Sequence, residues 1–141
     1  MQENEILYSM KETCKKTGLT YDTIKFYCNE GLIPNVKRNK SNYRVFNDND
    51  INWIRNLSCL KKCGMSIIEI KKYLNLCLKG ESSIKERQEI LDFKLHELEN
   101  KKQEIQNAID FVHRKQNFYN DVLSGKVKYF SYLINNENDN N

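Results

Sequence analysis

"LTYDTIKFYCNEGLIPNVKR", Leu19 to Arg38, is the stretch on which the reading of the whole chain turns. Thr20 stands where a helix N-cap belongs, and Tyr21 to Asn29 reads as a short helix that Gly31 and Pro34 bring to an end. Its polar sides carry Thr20, Tyr21, Thr23, Lys25 and Tyr27, and a basic loop follows. A helix that only packs a core has no use for that set of groups. A helix laid against a phosphate backbone does.

Immediately upstream, Ser9-Met10-Lys11-Glu12 is a capping box, in which the Ser hydroxyl and the Glu carboxylate each satisfy an orphan amide at a helix start. That helix is expected to run to about Thr17 and stop at Gly18. Two short helices joined by a Gly-containing turn make a minimal helix-turn-helix. Leu7, Met10, Cys14, Leu19, Ile24 and Phe26 are its expected apolar contacts.

Downstream lies "IPNVKRNKSNYRVFNDND". Val36, Tyr43, Val45 and Phe46 flank a Lys/Asn/Ser tip and predict a small β-hairpin. Asn47-Asp48 starts a third helix, to about Cys63, which Gly64 ends. Ser66-Ile67-Ile68-Glu69 is a second capping box and opens a fourth helix to about Leu78, broken by Gly80. Ser83-Ile84-Lys85-Glu86 reads as a third box that opens a much longer element.

From Ile84 the pattern changes. Positions 84, 88, 91, 95, 98, 102, 105, 109, 112, 116, 119 and 123 alternate by four and three, and nine of the twelve are apolar or aromatic. Neither Pro nor Gly interrupts before Gly125. This is a coiled-coil seam, about 60 Å long at about 1.5 Å per residue. A lone helix cannot bury such a stripe, so the expectation is a homodimer; the alternative is a helix folded back on its own domain. The polar end "INNENDNN" is expected to be disordered.

Composition narrows the function. The chain has 141 residues, 39% hydrophobic and 30% charged, with a net charge of +4. Residues 1–80 hold 14 Lys/Arg against 8 Asp/Glu, while residues 81–141 hold 9 against 11. Positive charge therefore gathers in the first half, where an anionic partner would dock. No run of about 18 apolar residues is present, and the N-terminus lacks the pattern of a secretory signal, so a cytoplasmic protein is expected. Five cysteines, an odd number with no C-x-x-C pair, argue against a disulfide framework and a zinc site. An enzyme is not expected: no Ser/His/Asp set, phosphate loop or metal cluster stands out, and His96 and His113 flank the seam. No cofactor or metal is expected.

The order of these parts resembles the MerR family of bacterial transcription regulators. The residues that carry the resemblance are "YSMKETCKKTGLTYDTIKFYCNEGLI", "NYRVFNDNDI" and "LKKCGMSIIEIKKYL", from Tyr8 to Leu74, followed by the coiled coil to about Leu123. Asn42 stands where the family usually has Gly, and Lys25-Phe26-Tyr27 where it more often has Arg-Tyr-Tyr. The resemblance implies a mainly α fold: a winged helix-turn-helix domain over residues 1–80, an antiparallel coiled-coil dimerisation helix over 81–124, and a short tail, partly disordered, over 125–141.

It also implies double-stranded promoter DNA as the partner, with RNA polymerase engaged indirectly. Thr20, Tyr21, Thr23 and Lys25 would then sit at the end of the second helix that reaches base edges, with Tyr27 on the backbone. In the wing, Lys37, Arg38, Lys40 and Arg44 would neutralise phosphates, and Tyr43 would brace the strand. Ser66 would offer backbone amides to a further phosphate, beside Lys61 and Lys62. The dimer would occupy a palindromic promoter spacer and distort it. The stretch "INWIRNLSCLKKCGMSI" resembles the subgroup that responds to aldehydes, nitrosative stress or other electrophiles, which makes Cys59, with Arg55 and Lys62 near it on the helix, a candidate thiol sensor. A competing reading is a coiled-coil interaction module whose helix-turn-helix touches protein only.

Overall fold

The computed structural model describes residues 4–134. Its elements are α1 (Met10–Thr17), α2 (Tyr21–Asn29), β1 (Lys37–Arg38), β2 (Arg44–Val45), α3 (Asp48–Lys62), α4 (Ile67–Leu78) and α5 (Ile84–Leu123), with a 3-10 turn at Gly80–Ser83. The chain is mainly helical, as expected, and divides after Lys94 into two compact units.

The helix starts follow from their caps. Ser9 and Glu12 form a reciprocal capping box on α1, Asn47 and Asp50 on α3, and Ser66 and Glu69 on α4. Thr20 caps α2 by accepting from the Thr23 amide. Gly18 ends α1 at φ +73°, in the left-handed region that only glycine enters without strain. The expected third box does not form. The buried Ser83 hydroxyl faces back to the carbonyls of Leu76 and, at 2.9 Å, Gly80, and it accepts from Arg87 Nε at 3.1 Å. Its hydroxyl is thereby engaged by the Leu76 carbonyl in the last turn of α4 and by the Gly80 carbonyl of the 3-10 turn.

The core of the first unit gathers Ile24 and Tyr27 of α2, Leu32 and Ile33 of the following turn, Phe46, and Ile51, Ile54, Leu57 and Leu60 of α3. Each fully buried side chain of this size stabilises by about 1.5–3 kcal/mol relative to exposure. Trp53 packs at the edge and donates from Nε1 to the Leu32 carbonyl at 2.7 Å. Two residues expected in this core lie outside it: Phe26 is 45% exposed and Leu7 46%. The reason is helical phase. Ile24 and Tyr27 are three apart and share a face, whereas Phe26 falls about 200° from Ile24.

β1 and β2 pair antiparallel, with Lys37 opposite Val45 and Arg38 opposite Arg44. The tip is held by Asn39, whose Oδ1 accepts from the amides of Ser41 and Tyr43, both at 3.0 Å. Asn42 has φ +66°, which explains why a residue tolerant of the left-handed region stands there. A further pairing joins the hairpin base to the segment before α1: Tyr8 N–H donates to the Phe46 carbonyl at 2.7 Å and Phe46 N–H to the Tyr8 carbonyl at 2.9 Å. The Tyr8 hydroxyl also donates to Asp48 at 2.8 Å, and that bond raises the phenol's pKa above its ordinary value.

Along α5 the seam residues Ile84, Leu91, Leu95, Leu98, Ile105, Ile109, Val112, Tyr119 and Leu123 are 36–85% exposed in the chain. The first turns of α5 belong with the first unit. Ile90 packs on its core, and Lys94, 7% exposed, pairs with Glu69 at 2.8 Å. Among the described residues no helix is long and apolar enough to cross a membrane. The polar end at 135–141 lies outside the described residues.

Candidate nucleic-acid interface

α2 and the hairpin together shape one face of the first unit. A cleft of about 380 Å³ lies between them, bounded by Lys11 of α1, Tyr21 of α2, and Arg38, Asn42, Tyr43 and Arg44 of the hairpin. Three cations line it and, among the described residues, no carboxylate does. That sign of charge suits a phosphate.

The two arginines are held rather than loose. Arg38 donates from Nη1 to the Asn42 carbonyl at 2.8 Å, and Arg44 donates from Nη2 to Asn29 Oδ1 at 2.9 Å. Neither partner is charged, so each guanidinium keeps its full charge and its remaining donors. Their field reaches α2: burial pushes the Cys28 thiol up, and Arg44, then Arg38, oppose the shift. Lys37 and Lys40 are exposed on the same hairpin.

On α2, Thr20 and Thr23 do two things at once. The Thr20 hydroxyl accepts from the Thr23 amide at 3.2 Å and lies 2.8 Å from the Thr23 hydroxyl, so part of its bonding capacity goes to the cap. Tyr21 is 53% exposed, with Lys25 Nζ 5.9 Å from its ring centroid one helical turn on. These four line the exposed N-terminal half of the helix.

Two expectations are corrected. Tyr27 is 5% exposed and is a core residue, where burial raises its phenol pKa; the expected backbone contact is withdrawn because its ring faces Ile24's side of the helix. Phe26 takes the outward position instead, and only the phase of α2, set by Ile24, could have shown this. Tyr43 does not brace the strand. It is 71% exposed, and the bracing falls to Asn39, an Asx-type turn residue that the sequence reading passed over. Asn29, which orients Arg44, was missed as well, because no local pattern links residues that far apart.

Lys61 and Lys62 are exposed in the last turn of α3, and Ser66 is exposed at the start of α4. The Ser66 hydroxyl takes the Glu69 amide at 3.1 Å, which leaves the amides of Ile67 and Ile68 leading the helix. Cys59 is exposed on α3, and all five cysteines are free. Arg55, expected beside Cys59, is turned away: it donates to the Lys16 carbonyl at 2.9 Å and to Asn52 at 3.3 Å. Among the described residues no cluster of ligands fits a metal ion.

Comparison with known proteins agrees with this geometry. Residues 8–77 match the family model of the MerR HTH family regulatory proteins, and residues 52–112 match the model of the MerR DNA-binding region. An uncharacterized HTH-type transcriptional regulator of Haemophilus influenzae is 32% identical over 86% of this chain and 90% of its own length. The HTH-type transcriptional regulator AdhR of Bacillus subtilis is 35% identical over 59% of each chain. The crystal structure of HiNmlR, a MerR family regulator lacking the sensor domain, bound to promoter DNA, superposes with a TM-score of 0.73 at 30% identity, over 84% of this chain and 90% of that one.

Proposed function

We infer function from one premise: this chain belongs to the MerR family of helix-turn-helix regulatory proteins and is a DNA-binding transcriptional regulator rather than an enzyme. It works as a homodimer, paired through α5 as an antiparallel coiled coil, on a palindromic promoter spacer. The cation-lined cleft between α2 and the hairpin carries this reading.

Thr20, Tyr21, Thr23 and Lys25 face the major groove. Lys37, Arg38, Lys40 and Arg44 hold the flanking phosphates, with Tyr43 packing on the sugar backbone. Lys61, Lys62 and the amides behind Ser66 hold a further phosphate. Two heads on one twofold axis read the two halves of a palindrome. Bending and untwisting the spacer costs on the order of a few kcal/mol, offset by contacts from both wings, and brings the promoter elements within reach of RNA polymerase. The protein acts in the cytoplasm, where its five free cysteines stay reduced. An electrophile such as an aldehyde or quinone modifies the exposed Cys59 thiol and so signals to the head.

Fluorescence anisotropy of a labelled duplex from upstream of its own gene tests the reading. Affinity is expected to fall by about a thousandfold between about 50 and 200 mM salt. Affinity indifferent to salt would favour the interaction module that contacts only protein. A Cys59→Ser variant is expected to lose its response to aldehyde; a full response in that variant removes the sensor role and leaves DNA binding standing.

A further inference from the structure

The chain beyond α5 does not simply run off the helix. Gly125, at φ +82°, reverses it. Gly125 N–H donates to the Val122 carbonyl at 3.1 Å and Lys126 N–H to the Asp121 carbonyl at 2.8 Å, the pairing of a Schellman-type stop. The returning segment brings Tyr129, Phe130 and Tyr132 to Lys115, Phe118 and Tyr119 of α5, and together they line an open cleft of about 330 Å³. Phe130 and Tyr132 meet edge to face, with centroids 4.9 Å apart and planes at 84°. In the single chain Tyr132 is 90% exposed and Phe130 51%, while Tyr119, also a position of the α5 seam, is the ring that a paired copy would share.

We propose that this aromatic cup binds a planar aromatic anion, of the aryl carboxylate class. Ring faces and edges held at fixed angles accept another flat ring in offset or edge-to-face contact. The volume lies at the small end of the range of ligand sites, enough for one or two fused rings. Charge selects the anion. Lys115 is the one charged residue lining the cup, its Nζ 5.9 Å from the Phe111 ring centroid, and no carboxylate among the described residues lines it. An aromatic cation would meet Lys115 as a like charge, and a neutral ring would leave it without a counter-ion.

The test is calorimetric titration of the full chain, without DNA, with naphthoate and with its neutral analogue naphthalenemethanol. Saturable binding of one naphthoate per chain is expected, with dissociation below about 1 mM. Tyr132→Ala, at an exposed position that leaves folding intact, weakens both ligands about tenfold through the lost ring contact. Lys115→Gln weakens naphthoate about tenfold and leaves naphthalenemethanol unchanged. The proposal is overturned by a failure to saturate, by equal affinity for the two ligands, or by a Tyr132→Ala variant that binds as the wild type does. It is also overturned if naphthoate does not bind and Tyr132→Ala instead weakens self-association, because a second copy then covers the cup.

Discussion

Between Tyr8 and Leu76 the chain closes a core of its own, whereas among the described residues from Leu95 to Ile134 no side chain is buried. Both regions are built from helix-forming sequence with an apolar stripe. They differ in where the stripe finds its partner. In the first region, turns at Gly18, Gly31 and Gly64 bring helices back within reach of one another. In the second, α5 continues from Leu95 to Leu123 without a turn, and its apolar stripe stays exposed in the chain. One region closes on itself; the other leaves its stripe open, and the proposed pairing of two chains would cover it.

The largest effect is expected where that contrast is sharpest. Replacing both Ile105 and Ile109 by Asp places charge in the seam and should cost about 4 kcal/mol of pairing, roughly a thousandfold in the dimer constant. Sedimentation equilibrium reads the loss, while Trp53 fluorescence should stay native. A variant that still dimerises would move the interface away from the seam. In the first region, Ile54→Ala opens a cavity beneath α3 and should lower unfolding free energy by about 3 kcal/mol, measured by urea denaturation. Its dimer constant at native conditions should not change; a coupled change would join the two regions into one cooperative unit.

Arg44→Ala separates binding from folding. DNA affinity should fall about tenfold, and the slope of log affinity against log salt should become shallower by about one per head. Loss of stability instead would make the bond to Asn29 structural.

The smallest effect belongs to the pair where α5 leaves the head. The Lys94 hydrogen bond, with the Ser66 amide, holds the Glu69 carboxyl below the usual carboxylate range. Because the folded value is depressed, the contribution is full above the unfolded value of about 4.3 and is lost as pH falls through the folded value. Urea midpoints followed downward from about pH 5 should therefore drop more steeply in the wild type than in Lys94→Met.

Much of this was legible in the sequence because local chemistry decided it. Caps at Ser9, Thr20, Asn47 and Ser66 mark helix starts one residue at a time, and Asn42 advertised its left-handed backbone. The long helix α5 needed only a period and the absence of Pro and Gly before Gly125. What was not legible depended on partners far along the chain. Ser83 had the spacing of a capping box, but the ends of α4 and the 3-10 turn claimed its hydroxyl. The bridge between Tyr8 and Phe46, and the bond from Arg44 to Asn29, join residues with no shared local pattern. Phe26 and Tyr27 exchanged places because adjacent aromatics on a short helix look alike until a neighbour fixes the phase. On the candidate face, most of the residues singled out are exposed, while burial removed Tyr27 from the set.

The proposed division of labour, a head that grips DNA and a helix that pairs two heads, is tested most directly by sedimentation velocity. The full chain would be run with a fluorescent promoter duplex at low and at high salt. Two chains per duplex at low salt, released together as salt rises, is the predicted result. One chain per duplex, or a complex that salt does not dissolve, would contradict it.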